Sequence, residues 1–420
     1  MLAGFGWTML YSDVLLVLAY IPPTAFCIVY IAALFQAELP WNTCGGGEHG
    51  VEERGCYHVK HGTYPCSKVN ETLARRYLAR NYSGEAAIVV NGSGGQEPVS
   101  VPLREYEALR NSCVSGTVSA ARAFYERHVA NLDLATEGTS DSGVSLLMAM
   151  IVGWILVLLS ISMGLRSIKK ASALLLGVRL MLLTLLCVAS CTLSGAGEGL
   201  RVLLWPQLSK VYADKTWITA CQHMFYSVGI SLGTVTFFAS HNQFDWPILS
   251  TAWKIAIADF LFGLFTSCVA FGIYGHLANT FAVEVVDMAT RGLDYVFVSF
   301  PESAEALTWP RVWMFAFYIM MAATTIGPCV GSFAGAVGSL ADLHPVLAES
   351  RTLWAIVSCS IACAFSLPLA MRIAASAQLH FALESAQIIA SAYVITWPQA
   401  NCVQEVLPSA VFRRHCSITG

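Results

Sequence analysis

The chain reads as an all-α polytopic membrane protein with about eight transmembrane spans, and three observations lead to that class. Of 420 residues, 56% are hydrophobic and only 12% charged, where a soluble domain carries about 25% charged residues. Mean hydropathy is +0.59. The apolar residues also gather into runs near the ~20 residues that cross about 30 Å of hydrocarbon. Net charge is −3, with no basic or acidic bias that would point to nucleic acid. The first run, Val14 to Phe35, is too long for a signal-peptide core and lacks a basic leader or a small-residue cleavage site.

The runs centre on 14–36, 144–165, 172–193, 217–239, 250–278, 312–340, 353–371 and 381–398. "VSLLMAMIVGWILVLLSISMGL" is a plain lipid-facing span, whereas the fourth run and the last two are interrupted by Gly, Ser, His or Arg. The sequence therefore divides into a first span (1–41), a polar loop (42–143), a bundle (144–400) and a tail (401–420). The loop holds sequons at Asn70, Asn81 and Asn91 and four cysteines, Cys44, Cys56, Cys66 and Cys113. Sequons require a lumenal or extracellular face, and four cysteines there allow two disulfides in three connectivities. Paired CxxC spacing for a metal is absent. With the loop outside, alternation puts Arg166, Lys169 and Lys170 of "RSIKK", and the "FRRHC" tail, on the cytoplasmic side. Arg201, Lys210, Lys215 and Arg291 fall outside, so the sequons rather than charge set the orientation.

Six segments carry a resemblance: "ELPWNTC" (38–44), "GLRSIKK" (164–170), "TLSGAGEGL" (192–200), "WITACQHMFYSVGISLG" (217–233), "FASHNQF" (238–244) and "GLDYVFVSFPE" (292–302). In this order and spacing they resemble the neurotransmitter:sodium symporters, solute carrier family six. The resemblance implies an inverted-repeat sodium-symporter (LeuT-like) fold, in which two five-helix repeats surround a midplane site. It covers nearly the whole chain, thinning after about residue 345, and matches this chain to roughly helices three to ten. Against that plan helices one, two, eleven and twelve are expected to be missing. The first disulfide is assigned to Cys44 and Cys56, with the pairing of Cys66 and Cys113 open.

The resemblance also implies site residues. The family's sixth helix is unwound at midplane, and "YSVGISLG" matches that stretch: Gly229 and Gly233 relax the helix and the Ser227 hydroxyl is a candidate ligand for sodium or solute. Read as residues alone, the same glycines serve equally for close helix packing. Tyr226 falls on the family's aromatic lid position, Tyr20 on its third-helix tyrosine and Leu16, one turn earlier, on a pocket-lining position. Pro22 and Pro23 remove backbone donors and are expected to kink or break that span. At the chloride-site equivalents His223 stands for a glutamine, Asp259 for an asparagine and Gly263 for a serine, beside Ser227. A carboxylate within an apolar helix is a functional candidate by default. Asp259, paired with His223, either supplies a fixed negative charge in place of chloride, and a tentative sodium ligand, or is a protonated or bundle-facing residue. Gly331 and Ser332 fall on the two small positions of the eighth helix, where no acid occurs because Asp342 is assigned to the next loop. Glu384 is the acid of the last span.

The implied function is sodium-coupled secondary transport of an amino-acid or neurotransmitter-like solute by alternating access in the plasma membrane, with chloride dependence open. The lost helices, the prolines and the missing acid lead to the expectation that transport is impaired. The alternative is a non-transporting truncated paralogue or an incomplete gene. HExxH, GxSxG and GxxxxGKS motifs are all absent, so no enzyme is expected.

Overall fold

The computed structural model describes residues 2–42, 56–57, 73, 77, 86–92, 95–113, 118–130, 141–205, 211–229, 232–281, 285–288, 293–343 and 350–373. Helix α1 runs Leu2–Ala33, starting well before the expected 14–36. The polar residues that end the apolar run, Ser12 and Asp13, are both buried. Ser12 donates to the Thr8 carbonyl at 3.0 Å, and Asp13 finds partners in the bundle. Nor do Pro22 and Pro23 break the helix, which continues through both. Residues 21–27 are buried all round, and leaving the helix there would expose more unpaired backbone than the two prolines remove. The Thr24 hydroxyl lies 2.8 Å from the Tyr20 carbonyl and 2.8 Å from Thr325 Oγ1.

A short 3₁₀ turn at Pro40–Asn42 follows, with Trp41 buried and stacked on Tyr30 at 5.2 Å. In the polar segment, β1 (Cys56–Tyr57) pairs in parallel with β4 (Val118–Ser119). Strands β2 (Ala86–Gly92) and β3 (Gly95–Val101) form an antiparallel hairpin. Helix α2, Leu103–Ser112, sets Tyr106 and Leu109 against a small core of Leu73, Val99 and Val101. Cys56 and Cys113 are both disulfide-bonded, whereas Cys44 and Cys66 lie outside the described residues. Asn91 sits in β2 opposite Gln96, beside the hairpin turn; Asn70 and Asn81 lie outside the described residues.

Helix α3, Ala120–Phe124, is capped by Ser119 Oγ, which accepts the Arg122 N–H at 3.3 Å, and passes into a π turn at Tyr125–Val129. Helices α4 (Asp141–Ile161) and α5 (Leu165–Cys191) are joined through Gly164 at φ 71°, with the exposed Arg166, Lys169 and Lys170 opening α5. Gly195, at φ 85°, starts α6, Ala196–Leu204. This helix lies on α9, Ile248–Phe281, with no side chain between them: a Cβ on Gly199 would stand 1.8 Å from the Phe271 carbonyl oxygen. "TLSGAGEG" is thus a backbone-to-backbone seam, closed by His276 Nδ1 at 2.9 Å from the Ser194 carbonyl.

The expected fourth span is two helices, α7 (Asp214–Val228) and α8 (Gly233–Ser240). A short α10 (Val285–Met288) precedes a second π turn, Tyr295–Ser299, and α11, Phe300–Ala304. The long α12, Pro310–Leu343, takes in Asp342, which belongs to its exposed last turn rather than to the loop. Helix α13, Arg351–Ile373, follows; Glu384, the run 381–398 and the tail 401–420 lie outside the described residues.

Among the described residues five helices are long and apolar enough to cross a membrane: Gly6–Ala33, Val144–Ile161, Leu165–Cys191, Ile248–Phe281 and Pro310–Leu343. The core packs α1 on α12, with α4 and α5 alongside. At one end aromatic rings close it: Tyr30 lies 4.7 Å from Tyr318 and 5.2 Å from Phe297, and donates to the Phe297 carbonyl at 2.8 Å. That bond satisfies a carbonyl of the second π turn. Arg122 ties the two π turns together, its Nη2 2.8 Å from Asp294 Oδ2 and its Nε 3.3 Å from Glu126 Oε1. Partial burial works to lower the Arg122 pKa, but the Asp294 hydrogen bond and charge outweigh it, holding the guanidinium above its ordinary value. Trp253, Phe260 and Phe265 project outward from α9, as a lipid-facing surface requires.

Candidate functional site

The site is a discontinuity between two helices. Helix α7 ends at Val228, and Gly229 takes φ 72°, a left-handed value open to glycine at little cost. Helix α8 begins at Gly233; residues 230–231 lie outside the described residues. Each half-helix leaves orphan groups at the break, carbonyls at the end of α7 and N–H groups at the start of α8. The N-cap residue of α8 is Leu232, which has no side-chain acceptor to offer.

Asp13 of α1 supplies what Leu232 lacks. Its side chain is only 1% exposed. It accepts from the main-chain N–H groups of Gly233 and Thr234 and from the Ser332 side chain, and from Thr234 Oγ1 at 2.8 Å. Thr234 Oγ1 is also 3.2 Å from Ser332 Oγ. Three elements, α1, α8 and α12, therefore meet on one carboxylate. The fit explains Gly233: a Cβ there would stand 2.7 Å from Asp13 Oδ2. Gly331 lies against the same threonine, its Cβ position 3.5 Å from Thr234 Cγ2.

On the other side of the break, Ser227 Oγ donates to Asp259 Oδ1 of α9 at 2.6 Å. The charged neighbour of Asp259 is Arg179 of α5, not His223, which is exposed one turn before Ser227. Arg179 also lies over the Phe262 ring at 5.0 Å and within electrostatic reach of Tyr20. Gly263, one turn beyond Asp259, faces open space.

Of the residues expected from sequence, Ser332 and Gly331 come together with the start of α8, and Ser227 with Asp259. Leu16 is buried and Tyr20 half-buried, one and two turns along α1 from Asp13. The side chain of Tyr226 lies outside the described residues. Asp13, Arg179 and Thr234 were not foreseen. Asp13 sits immediately before the apolar run, so it reads as a flank, yet its spacing to Leu16 and Tyr20 puts all three on one helical face. Arg179 is a lone cation inside "LLLGVRLMLL", a signal equal in kind to that of Asp259.

A sequence profile described as the sodium:neurotransmitter symporter family matches residues 97–397. Among individual proteins, the chain is 25% identical over 366 residues to the sodium-dependent nutrient amino acid transporter 1 of Drosophila erecta, covering 86% of this chain and 52% of that protein. It is 24% identical over 361 residues to the sodium- and chloride-dependent taurine transporter of Bos taurus, covering 86% and 51%. To the creatine transporter of Torpedo marmorata it is 27% identical over 240 residues, covering 57% and 39%. The chain thus spans about half the length of the curated relatives it matches. With the match spanning most of this polypeptide, the chain belongs to the sodium:neurotransmitter symporter family.

Proposed function

We propose that this chain carries the solute site of a sodium-coupled secondary transporter of the plasma membrane, working on an amino-acid-like solute by alternating access. The observation that carries the reading is the broken helix: Gly229 in a left-handed conformation, with helix α8 restarting at Gly233. Irregular backbone at membrane depth is tolerated where it lines a cavity or is buried in protein. The break is bordered by hydroxyls and carboxylates suited to a small polar solute and a monovalent cation. In this reading Leu16, Tyr20, Tyr226, Gly331 and Ser332 line the solute site. Ser227 and the carbonyls at the end of α7 contribute to sodium, and the Ser227–Asp259 hydrogen bond at 2.6 Å opens when the ion arrives.

Chloride has no part in this proposal. Asp259 stands at a chloride-site equivalent with the Arg179 guanidinium as its charged neighbour, whereas the name of the Bos taurus relative states chloride dependence for that protein. The experiment is radiolabelled uptake by cells expressing the chain, with a panel of amino acids, taurine, creatine, betaine, GABA and monoamines. Uptake of at least one solute is expected to fall when sodium is replaced by choline and to persist when chloride is replaced by gluconate. Ser227→Ala, which removes the hydroxyl proposed as a sodium ligand, is expected to raise the half-saturating sodium concentration roughly tenfold or more. Uptake equal to that of untransfected cells for every solute would sink the transport reading, and loss of uptake in gluconate would sink the chloride statement alone.

A further inference from the structure

Asp13 does something at the break that none of the expected site residues does. A half-helix N-terminus at membrane depth is a seat for an anionic group, because its unpaired N–H groups and dipole converge there. In α8 that seat is filled by the chain itself. The carboxylate of Asp13 is 1% exposed and takes the N–H groups of Gly233 and Thr234 together with both neighbouring hydroxyls. Leu232 offers no competing cap, and Gly233 leaves no Cβ to hold the carboxylate off. The groups facing Asp13 from α8 and α12 are Gly233, Thr234 and Ser332, all donors and none a cation. The carboxylate is therefore held by the helix end rather than by an ion pair.

We propose that Asp13 is a specificity-determining residue, a tethered anion that permanently occupies the α8 seat in place of a carboxylate on the solute. The consequence, which rests on the transport reading above, is that a solute reaches the break with a neutral or cationic head toward α8. Its own carboxylate is excluded from that helix end by charge and by occupancy.

The test has two arms, both on the full chain in detergent. The first measures thermal unfolding of wild type, Asp13→Ala and Asp13→Asn in increasing formate, with matched chloride as the control. Asp13→Ala vacates the seat, so its unfolding midpoint is expected to be lowered and then to rise with formate beyond the chloride control. Wild type, and Asp13→Asn whose amide still fills the space, are expected to follow chloride. Equal responses to formate in all three proteins would overturn the proposal. If Asp13→Ala yields no folded protein, Asp13→Ser provides the vacated seat. The second arm compares serine with ethanolamine and tyrosine with tyramine by the ligand-induced shift in unfolding. In wild type the amine is expected to match its amino acid, and in the vacated variant the amino acid is expected to gain about tenfold or more. A wild type preferring the amino acids by that factor would refute the exclusion. Absence of any solute effect counts against the transport reading alone, while formate rescue still decides whether Asp13 fills an anion seat.

Discussion

At the residue scale, two glycines in one motif act through different physics. Gly229 is needed for its backbone: at φ 72° its nearest neighbour to an added Cβ is Leu232 Cδ1, at an ordinary 3.4 Å. Gly229→Ala is therefore expected to cost about 1–2 kcal/mol, with Gly229→Asn milder because asparagine visits the left-handed region more readily. Gly233 is needed for its emptiness. The alanine methyl in Gly233→Ala would drive into Asp13, with an expected loss of about 1–3 kcal/mol. Denaturant unfolding in detergent checks both, and a Gly229→Asn as damaging as Gly229→Ala would contradict the backbone account. The sequence marked both glycines and Ser227 but passed over Asp13 and Arg179. A carboxylate at the edge of an apolar run looks like an end, and what makes it interior is the helix that continues on its other side.

At the scale of elements, the broken helix was legible because glycine and serine in an apolar stretch are a local signal. The continuity of α1 through Pro22 and Pro23 was not, because local rules cannot see the neighbouring helices that hold it straight enough to continue. Thr24 and Thr325 join α1 to α12 at 2.8 Å, and Thr325 also bonds back to the carbonyls of Met321 and Ala322. Thr24→Val keeps the shape and removes the link while leaving Thr325 partnered. The expected loss is about 1 kcal/mol. Adding Thr325→Val is expected to cost less than it does alone, a coupling that a double-mutant cycle reads directly. Additive losses would show that the pair contributes nothing across the interface.

At the scale of the whole molecule, the polar segment is tied to the bundle by Arg122 and Asp294. The pair is partly solvent-accessible, so Arg122→Ala is expected to cost less than about 1 kcal/mol, diminishing further as salt screens it. If that segment is outside, amidase treatment of the protein from glycosylating cells is expected to increase its gel mobility; unchanged mobility would count against that topology. The hairpin and the stacked aromatic end were invisible in the sequence, since they depend on pairings between distant segments. The membrane class and family were visible because composition and ordered motifs survive without those pairings.

The seam between α6 and α9 has a mechanical consequence. Where Gly199 meets the Phe271 carbonyl and Gly275 meets Gly195 and Gly199, backbone bears directly on backbone, and there is no compressible side chain to absorb a displacement. Such a joint transmits load without slack, so α6 and α9 move as one stiff beam. Amides of α6 and the facing stretch of α9 are therefore expected to exchange slowly with solvent deuterium, as a beam that stays stiff requires.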